Sequence, residues 1–233
     1  MNKLPKVSIL MPSYNRNNFL GLILNNILNQ TYPHELLELV IIDDGSKKLI
    51  TDEKLVRGKI FPIKLKYIQI DNSNKLIIGV KRNFLVDHAS NQICINMDDD
   101  DIYLNNYILK SVLYLLIKRV SLVGSNGMIF YFYKQGKFTK IQCSAKRQIH
   151  EATMCFTKNH WKRTGGFLPV QPGEGPGMID GHEEHTYNIS IDELMYCIAH
   201  DNNTYPKDSF LYKKELDLKL QPNVLKFINE IFF

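Results

Sequence analysis

Four consecutive aspartates occupy positions 98–101, directly after an apolar segment at positions 93–97. Adjacent carboxylates repel one another, so such a cluster is stable where water solvates it or a cation neutralises it. A hard divalent ion is the usual neutraliser because it prefers oxygen ligands. The cluster therefore predicts a metal site at the carboxyl end of a buried strand. An acidic loop that caps a helix is the alternative.

Two further polar groups follow apolar runs in the same way. Residues 13–16 come after the run at positions 7–11, and residues 43–46 come after the run at positions 39–42. In a parallel α/β sheet, ligands bind beyond the carboxyl ends of the strands. We therefore expect residues 13–16, 43–46 and 98–101 to face one crevice.

Strand-like and helix-like patterns alternate in the first half of the chain. The predicted strands cover positions 7–11, 39–42, 63–70 and 93–97, and the predicted helices cover positions 19 to about 31–33, 78–89 and 104–116. Apolar residues recur in these helices at spacings of three and four, which is typical of an amphipathic helix. The alternation implies an α/β fold with a mostly parallel central sheet and helices on both faces.

Beyond position 120 the pattern is more mixed. The predicted elements are a hairpin of positions 121–133 and 137–143 around Gly136, strands at 152–157 and 189–199, and helices at 159–164 and 224–232. Positions 168–181 contain three prolines and four glycines, a composition typical of a mobile loop. Since no linker interrupts the chain, we predict a single domain over residues 1–233.

The overall composition is that of an ordinary soluble protein. Of the 233 residues, 44% are hydrophobic and 23% are charged, and no apolar run approaches the roughly 20 residues that span a bilayer. The first strand begins too close to the N-terminus for a signal peptide, so we expect a cytoplasmic protein, at most peripheral to a membrane. The net charge of +5 is modest and the basic residues are scattered, so nucleic acid is not an expected partner.

Several more specific motifs are excluded because a residue that the motif requires is missing. Positions 41–46 resemble a phosphatase signature, but Ile42 occupies the nucleophile position. Positions 182–185 lack the H-E-x-x-H spacing of a zinc helix, because Thr186 stands where the second histidine belongs. An EF-hand loop from position 98 would need a glycine where Tyr103 stands. Dinucleotide and P-loop glycine motifs do not occur in the sequence.

Four motifs in order carry a resemblance to a known family. They read KVSILMPSYNR, LVIIDDGS, GVKRN and INMDDDDIY, and together they resemble the successive signatures of family 2 glycosyltransferases, nucleotide-diphospho-sugar transferases with the GT-A fold. The resemblance covers residues 5–120 closely and the remainder loosely. It implies that residues 1–120 form a Rossmann-like nucleotide-sugar-binding half and that residues 121–233 form a smaller, mixed acceptor-binding half.

The resemblance also implies where the nucleotide binds. Pro12, Tyr14 and Arg16 would line the nucleotide, and Asp44, with Asp43 beside it, would contact the base. A carboxylate that accepts a hydrogen bond from a ring N–H selects uracil over cytosine, so a UDP-sugar is the expected donor. A tight turn built by these two aspartates is the alternative.

Arg82 and the aspartate cluster complete the implied donor site. Arg82 matches an arginine near the base and phosphates, and a surface arginine on a helix is the alternative. Asp100 would bind Mn²⁺ or Mg²⁺ and Asp98 would support it, so that the ion stabilises the charge that builds up on the departing UDP. Asp99 is the extra acid of this motif and is grouped with the nucleotide-binding residues. His200 would complete the metal site, with a purely structural histidine as the alternative.

Inverting transfer requires a general base that deprotonates the acceptor hydroxyl. The resemblance implies an acid shortly after the G-G-F segment at positions 165–167, which makes Glu174 the first candidate and Asp180 the second, ahead of Glu183 and Glu184. Trp161 lies in the region that the family uses for acceptors, and sugar stacking and core packing are both open for it.

The expected function is metal-dependent, inverting transfer of a single sugar from a UDP-sugar to a hydroxyl of a glycan, glycoprotein or glycolipid. Single addition is expected because the Q-x-x-R-W motif of processive synthases is missing. Two alternatives belong to other classes. One is a non-catalytic relative that binds nucleotide sugars, and the other is a nucleotidyltransferase that makes them.

Overall fold

The computed structural model describes residues 3–71, 75–143, 148–203 and 205–233. Its strands are β1 (Val7–Ser13), β2 (Leu37–Asp43), β3 (Lys64–Gln69), β4 (Ile93–Asn96), β5 (Ile102–Tyr103), β6 (Leu122–Gly124), β7 (Gly127–Phe132), β8 (Lys137–Gln142), β9 (Cys155–Thr157), β10 (Thr186–Asn188), β11 (Met195–Ala199) and β12 (Lys214–Leu216). Its helices are α1 (Leu20–Leu28), α2 (Glu53–Ile60), α3 (Ile78–His88), α4 (Tyr107–Lys118), α5 (Lys158–Thr164) and α6 (Pro222–Phe232).

The main sheet has seven strands in the order β10-β6-β9-β4-β1-β2-β3. β1 pairs in parallel with β2 and β4, and β9 runs antiparallel to β4 and β6. Every residue of β1 and β2 is buried, which is expected of parallel strands that are covered on both faces. The predicted mostly parallel central sheet is confirmed.

Successive residues of β1 alternate between two apolar cores. Ile9 and Met11 belong to the larger core, which also contains buried residues of α1, α2, α4 and α6. Leu10 belongs to the smaller core, together with Leu85 and Val86 of α3. Because side chains on a strand point alternately to opposite faces, this division shows that helices cover both faces of the sheet.

The second sheet has five strands in the order β12-β8-β7-β11-β5. β7 and β8 form the predicted hairpin, and Gly136 adopts a positive φ of 60° at its turn. β11 runs parallel to β7 and antiparallel to β5. The two predicted halves interlock, because β6, β9 and β10 extend the main sheet while β5 joins the second sheet.

The predicted strand over positions 121–133 is wrong as a single element. It forms β6 and β7, which belong to different sheets. The chain leaves the main sheet at Ser125, whose backbone N–H donates to Thr153 Oγ1 and whose carbonyl accepts from the His150 N–H. Positions 189–199 also contain less strand than predicted, since a 3-10 turn at Ile191–Glu193 precedes β11.

Within the described part of the chain, no helix is long and apolar enough to cross a membrane. The longest is α4, with 12 residues, whereas a span requires about 20.

Candidate functional site

A cleft of about 510 Å³ lies beyond the carboxyl ends of β1 and β4. Residues 12–16, at the end of β1, and residues 98–101, after β4, line it together. This is the predicted convergence for two of the three polar groups, and it follows from the pairing of β1 with β4. The third group, residues 43–46, does not line the cleft.

Tyr14 is one of the residues predicted to line the nucleotide, so we call its end of the cleft the nucleotide end. The Nζ atoms of Lys75 and Lys81 lie 4.9 Å and 5.8 Å from the centroid of its ring. Both lysines line the cleft beside Pro12 and Tyr14. An aromatic ring beside the ammonium group of Lys75 suits a ligand that combines a planar base with phosphates.

Asp43 builds the turn after β2 and does not line the cleft. Its Oδ1 accepts from the Gly45 N–H at 3.0 Å, and its Oδ2 accepts from the Leu49 N–H at 2.8 Å and from the Tyr67 hydroxyl at 2.7 Å. The side chain is completely buried. These contacts build a tight turn, which is the alternative role given above for Asp43 in place of recognition of the base.

Asp44 forms a buried ion pair with Lys81, which the sequence reasoning did not single out. The Lys81 ammonium also donates to the Ser13 carbonyl at 2.9 Å, and the second oxygen of Asp44 accepts from the Leu76 N–H. Burial lowers the pKa of Lys81 even though Asp44 opposes that shift. The available signal was its position on the buried face of α3, four residues before Leu85.

Arg82 joins the aspartate cluster to the second half of the chain. Its Nη1 and Nη2 donate to the two oxygens of Asp98 at 2.9 Å and 3.0 Å, and its Nε donates to Glu174 Oε1 at 2.9 Å. Although burial alone would lower the pKa of Arg82, the charges of Asp98 and Glu174 raise it. Arg82 is therefore a buried, charged link between two carboxylates rather than a surface residue of α3.

Asp100 is the point where two other basic side chains meet. Its Oδ2 accepts from Arg16 Nη2 at 3.0 Å and lies 3.0 Å from His200 Nε2. Burial would raise the pKa of Asp100, but hydrogen bonds and charge from His200 and Arg16 hold it at about 2. Arg16 also donates to the Asn202 carbonyl at 2.7 Å, so the loop after β11 is tied to the loop after β1.

Asp101 and Asp99 have different surroundings. Asp101 Oδ1 accepts from the Ile198 N–H at 3.0 Å, which fixes β11 two residues before His200. Asp99 is 6% exposed, and its Oδ2 has no hydrogen-bond partner in the described part of the chain. Burial and the charge of Asp100 raise the pKa of Asp99. The four aspartates are adjacent in the sequence, but each has a different set of surrounding groups.

The residues of this cluster fit a divalent ion that is shared with a ligand. Among the described residues, no three His, Cys, Asp or Glu side chains are arranged to hold a metal ion by themselves. Asp100 and His200 nevertheless place a carboxylate and an imidazole together, and Asp99 has a buried oxygen without a partner. Mg²⁺ at nucleotide sites commonly uses one or two protein carboxylates and takes its other ligands from phosphates and water. Both oxygens of Asp98 already bind Arg82.

Glu174 is held in the cleft by the close packing of its loop against α3. The Leu168 N–H donates to the Glu174 carbonyl at 3.0 Å, and the Gly175 N–H donates to Glu151 Oε1 at 2.8 Å. A Cβ atom at Gly79 would overlap the Leu168 carbonyl oxygen and lie 3.1 Å from the Glu174 Cβ. The loop that the composition marked as mobile is therefore packed and hydrogen-bonded at Glu174.

Replacing Gly79 with alanine should push this loop away from α3. We expect a loss of about 1–3 kcal/mol in the free energy of unfolding, because the added methyl overpacks a backbone contact. Urea unfolding measures the loss, and Gly58→Ala in α2 is the control, since nothing lies within 4 Å of a Cβ there. Equal stability of the two variants would show that the loop yields without cost.

Asp180 and Trp161, like Asp43, Asp44 and His200, are predicted site residues outside the cleft lining. Asp180 is exposed, and its N–H donates to the Pro176 carbonyl. Trp161 packs against the smaller core, where its Nε1 donates to Asn83 Oδ1 at 2.8 Å. The sequence reasoning also missed residues that do line the cleft: Lys75, Lys81, His150, Glu151, Tyr205 and Lys207.

Known proteins resemble this chain over most of its length. Residues 8–173 match the family model described as glycosyl transferase family 2. EpsE of Bacillus subtilis (strain 168), a candidate glycosyltransferase by its name, is 24% identical over 228 residues, which cover 91% of this chain and 79% of EpsE. TarS of Staphylococcus aureus (strain Mu50 / ATCC 700699), a poly(ribitol-phosphate) beta-N-acetylglucosaminyltransferase, is 31% identical over 110 residues, 45% of this chain and 18% of TarS.

Solved structures share the fold. S. aureus TarS 1-349 in complex with UDP-GlcNAc superposes with a TM-score of 0.65 at 17% identity, covering 85% of this chain and 60% of that one. The mannosyltransferase PcManGT of Pyrobaculum calidifontis, in complex with GDP-Man and Mn²⁺, gives 0.61 at 18% identity, covering 90% of this chain and 59% of that one. The chain thus spans about three fifths of these two structures.

Proposed function

Because the chain belongs to glycosyl transferase family 2, we propose that it is a metal-dependent, inverting enzyme that adds a single sugar to an acceptor hydroxyl. The observation that carries the proposal is the link made by Arg82. This residue joins Glu174, the candidate base, to Asp98, the first acid of the cluster, while Asp100 and His200 meet beside it. This arrangement supports a base and a leaving-group site in one cleft.

The donor is proposed to be a UDP-sugar. Tyr14 offers a face to the base, and Lys75 and Arg16 line the same cleft with positive charge for the phosphates. The TarS complexes contain UDP and UDP-GlcNAc, which supports uridine, whereas the PcManGT complex contains GDP-Man. Recognition of uracil by Asp44 would require Lys81 or the Leu76 N–H to give up its contact.

Asp100 and His200 would hold the divalent ion, with Asp99 close by. When bound, Mn²⁺ or Mg²⁺ would supply positive charge that stabilises the developing negative charge on the diphosphate. Arg16, which donates to Oδ2 of Asp100, also contributes the positive charge of its guanidinium there. Support for a metal comes from this donor set and from the Mn²⁺ in the PcManGT complex.

Glu174 is proposed as the general base. Arg82 binds its Oε1, and within the described residues its Oε2 makes no hydrogen bond. In the proposed step, Oε2 takes the proton of the acceptor hydroxyl while that oxygen attacks the anomeric carbon. The bond between this carbon and the phosphate oxygen breaks, and its electron pair leaves with the nucleotide diphosphate. The configuration at the anomeric carbon inverts because attack and departure occur on opposite faces.

The acceptor is proposed to be a glycan, glycoprotein or glycolipid. The name of TarS gives a poly(ribitol-phosphate) acceptor for that relative. Transfer of one sugar at a time rests on the absence of the Q-x-x-R-W motif from the sequence.

Titrating UDP and GDP against the protein with Mn²⁺ should show UDP binding at least about tenfold more tightly, the margin of about one base-specific contact. UDP release from UDP-sugars, with and without an acceptor panel, then tests transfer. A protein that binds UDP but never releases it from a UDP-sugar would be the non-catalytic relative. Pyrophosphate formation from UTP and a sugar phosphate would identify a nucleotidyltransferase, and stronger binding of GDP would refute the choice of uridine.

A further inference from the structure

The part of the cleft that the second half of the chain builds contains a lysine without a carboxylate partner. Lys207 lines the cleft, and its Nζ lies 5.7 Å from the ring centroid of Phe130 and 5.6 Å from that of Tyr205. No described carboxylate forms an ion pair with it. The two rings lie beside the ammonium group, and its charge also opposes the rise that burial causes in the pKa of Asp101.

The other strong cations of the cleft have different places. Arg16, Lys81 and Arg82 each form an ion pair with a carboxylate. Lys75 lies beside Tyr14 at the nucleotide end. Lys207 therefore carries a positive charge that forms no ion pair with a described carboxylate, in a part of the cleft that residues beyond position 120 mainly build.

His150 lies close enough to Lys207 to be affected by its charge. Its Nε2 is buried and has no hydrogen-bond partner in the described part of the chain. Burial, together with the charge of Lys207, lowers the pKa of His150 to about 4, so the imidazole is neutral at pH 7 and has one N–H to donate. A buried polar atom without a partner costs free energy unless a ligand or water satisfies it.

We propose that Lys207 and His150 form a binding site for a phosphate group of the acceptor, an inference that rests on the proposed transferase function. Lysine suits phosphate because its ammonium acts as a compact charge that can donate in several directions. The neutral imidazole adds an N–H donor. Tyr205, which is 48% exposed on the cleft wall, offers an aromatic face to the sugar or polyol that carries the phosphate.

We assign this site to the acceptor rather than to the donor, because other cations already lie where the diphosphate of the donor is proposed to bind. Arg16, Lys75 and the proposed divalent ion lie at the nucleotide end, where a diphosphate needs them. Phe130, Tyr205 and His150 lie around Lys207 and belong to the half that the resemblance assigns to the acceptor. Asp101, from the first half, is also near enough for the charge of Lys207 to act on it.

Methyl phosphate, titrated into the protein saturated with UDP and diamagnetic Mg²⁺, tests the site. Binding is followed by NMR through the imidazole signal of His150, assigned from the spectrum of His150→Gln. Lys207→Gln should raise the Kd of methyl phosphate about tenfold, the effect of one lost charged hydrogen bond, and Lys207→Arg should retain most of the binding. Lys118→Gln is the matched control, because its Nζ lies 4.8 Å from the Tyr187 ring outside the cleft.

Two results would overturn the proposal. One is an unchanged Kd for methyl phosphate in Lys207→Gln. The other is competition between methyl phosphate and UDP, with Lys207→Gln weakening UDP by the same factor, since the lysine would then serve the donor. The titration is repeated without UDP, so that a failure of UDP to bind refutes the transferase function while the phosphate site is still measured.

Discussion

Replacing Asp100 with alanine is expected to lower the rate of sugar transfer about a thousandfold, the scale of losing one preorganised electrostatic contact to a leaving group. Asp100 Oδ2 is where Arg16 Nη2 and His200 Nε2 meet, each at 3.0 Å. Alanine removes that shared acceptor together with the carboxylate proposed to bind the metal. UDP release from a UDP-sugar at saturating Mn²⁺ measures the effect.

Two variants make the Asp100 result interpretable. Asp100→Asn keeps a side-chain oxygen but loses the charge, so it should need a higher Mn²⁺ concentration for half-maximal activity. Asp192→Ala is the control, because Asp192 pairs with Lys140 at 2.6 Å outside the cleft. Full transfer by Asp100→Ala at saturating Mn²⁺ would contradict the assignment of this aspartate.

Replacing Glu174 with glutamine should lower the rate of transfer about 10²–10⁴-fold, the usual contribution of a general base. The amide oxygen can still accept the hydrogen bond from Arg82 Nε that the carboxylate accepts at 2.9 Å, so the Kd of UDP should stay close to the wild-type value. Calorimetry with UDP and Mn²⁺ measures binding, and single-turnover transfer measures the chemical step.

Glu151→Gln serves as the matched control for Glu174. Glu151 lines the same cleft, but its Oε1 accepts from the Gly175 N–H at 2.8 Å, and a glutamine can still accept that hydrogen bond. Its transfer rate should therefore remain within a few-fold of wild type. Normal transfer by Glu174→Gln would remove the base role from Glu174 and direct it to Asp180, Glu183 or Glu184.

The sequence located two walls of the cleft because their signals are local. Residues 13–16 and 98–101 follow apolar runs directly, and a parallel sheet brings such ends to one edge. The same argument placed residues 43–46 in the cleft. The structure instead turns Asp43 back onto the Leu49 N–H and the Tyr67 hydroxyl. A strand end predicts proximity to the cleft but not the direction of a side chain.

Contacts between distant segments were the hardest to predict. Arg82 reaches Glu174 across 92 positions, and Asp100 reaches His200 across 100. Lys81 looked like an ordinary helix residue, because periodicity reports which face of a helix is buried and not which partner lies there. The carboxylate of Asp44 that neutralises it lies in another strand-to-helix loop.

The sequence by itself determined the family resemblance, the parallel α/β order and the position of the aspartate cluster, because each is written in short motifs and in local apolar periodicity. Only the tertiary structure decided which partner each of the four aspartates has: Asp98 pairs with Arg82, Asp99 with Arg16 Nε, Asp100 with Arg16 Nη2 and His200, and Asp101 with the backbone of β11. Adjacent carboxylates are chemically alike, and each is distinguished by the charges and hydrogen-bond donors that folding brings to it from elsewhere in the chain.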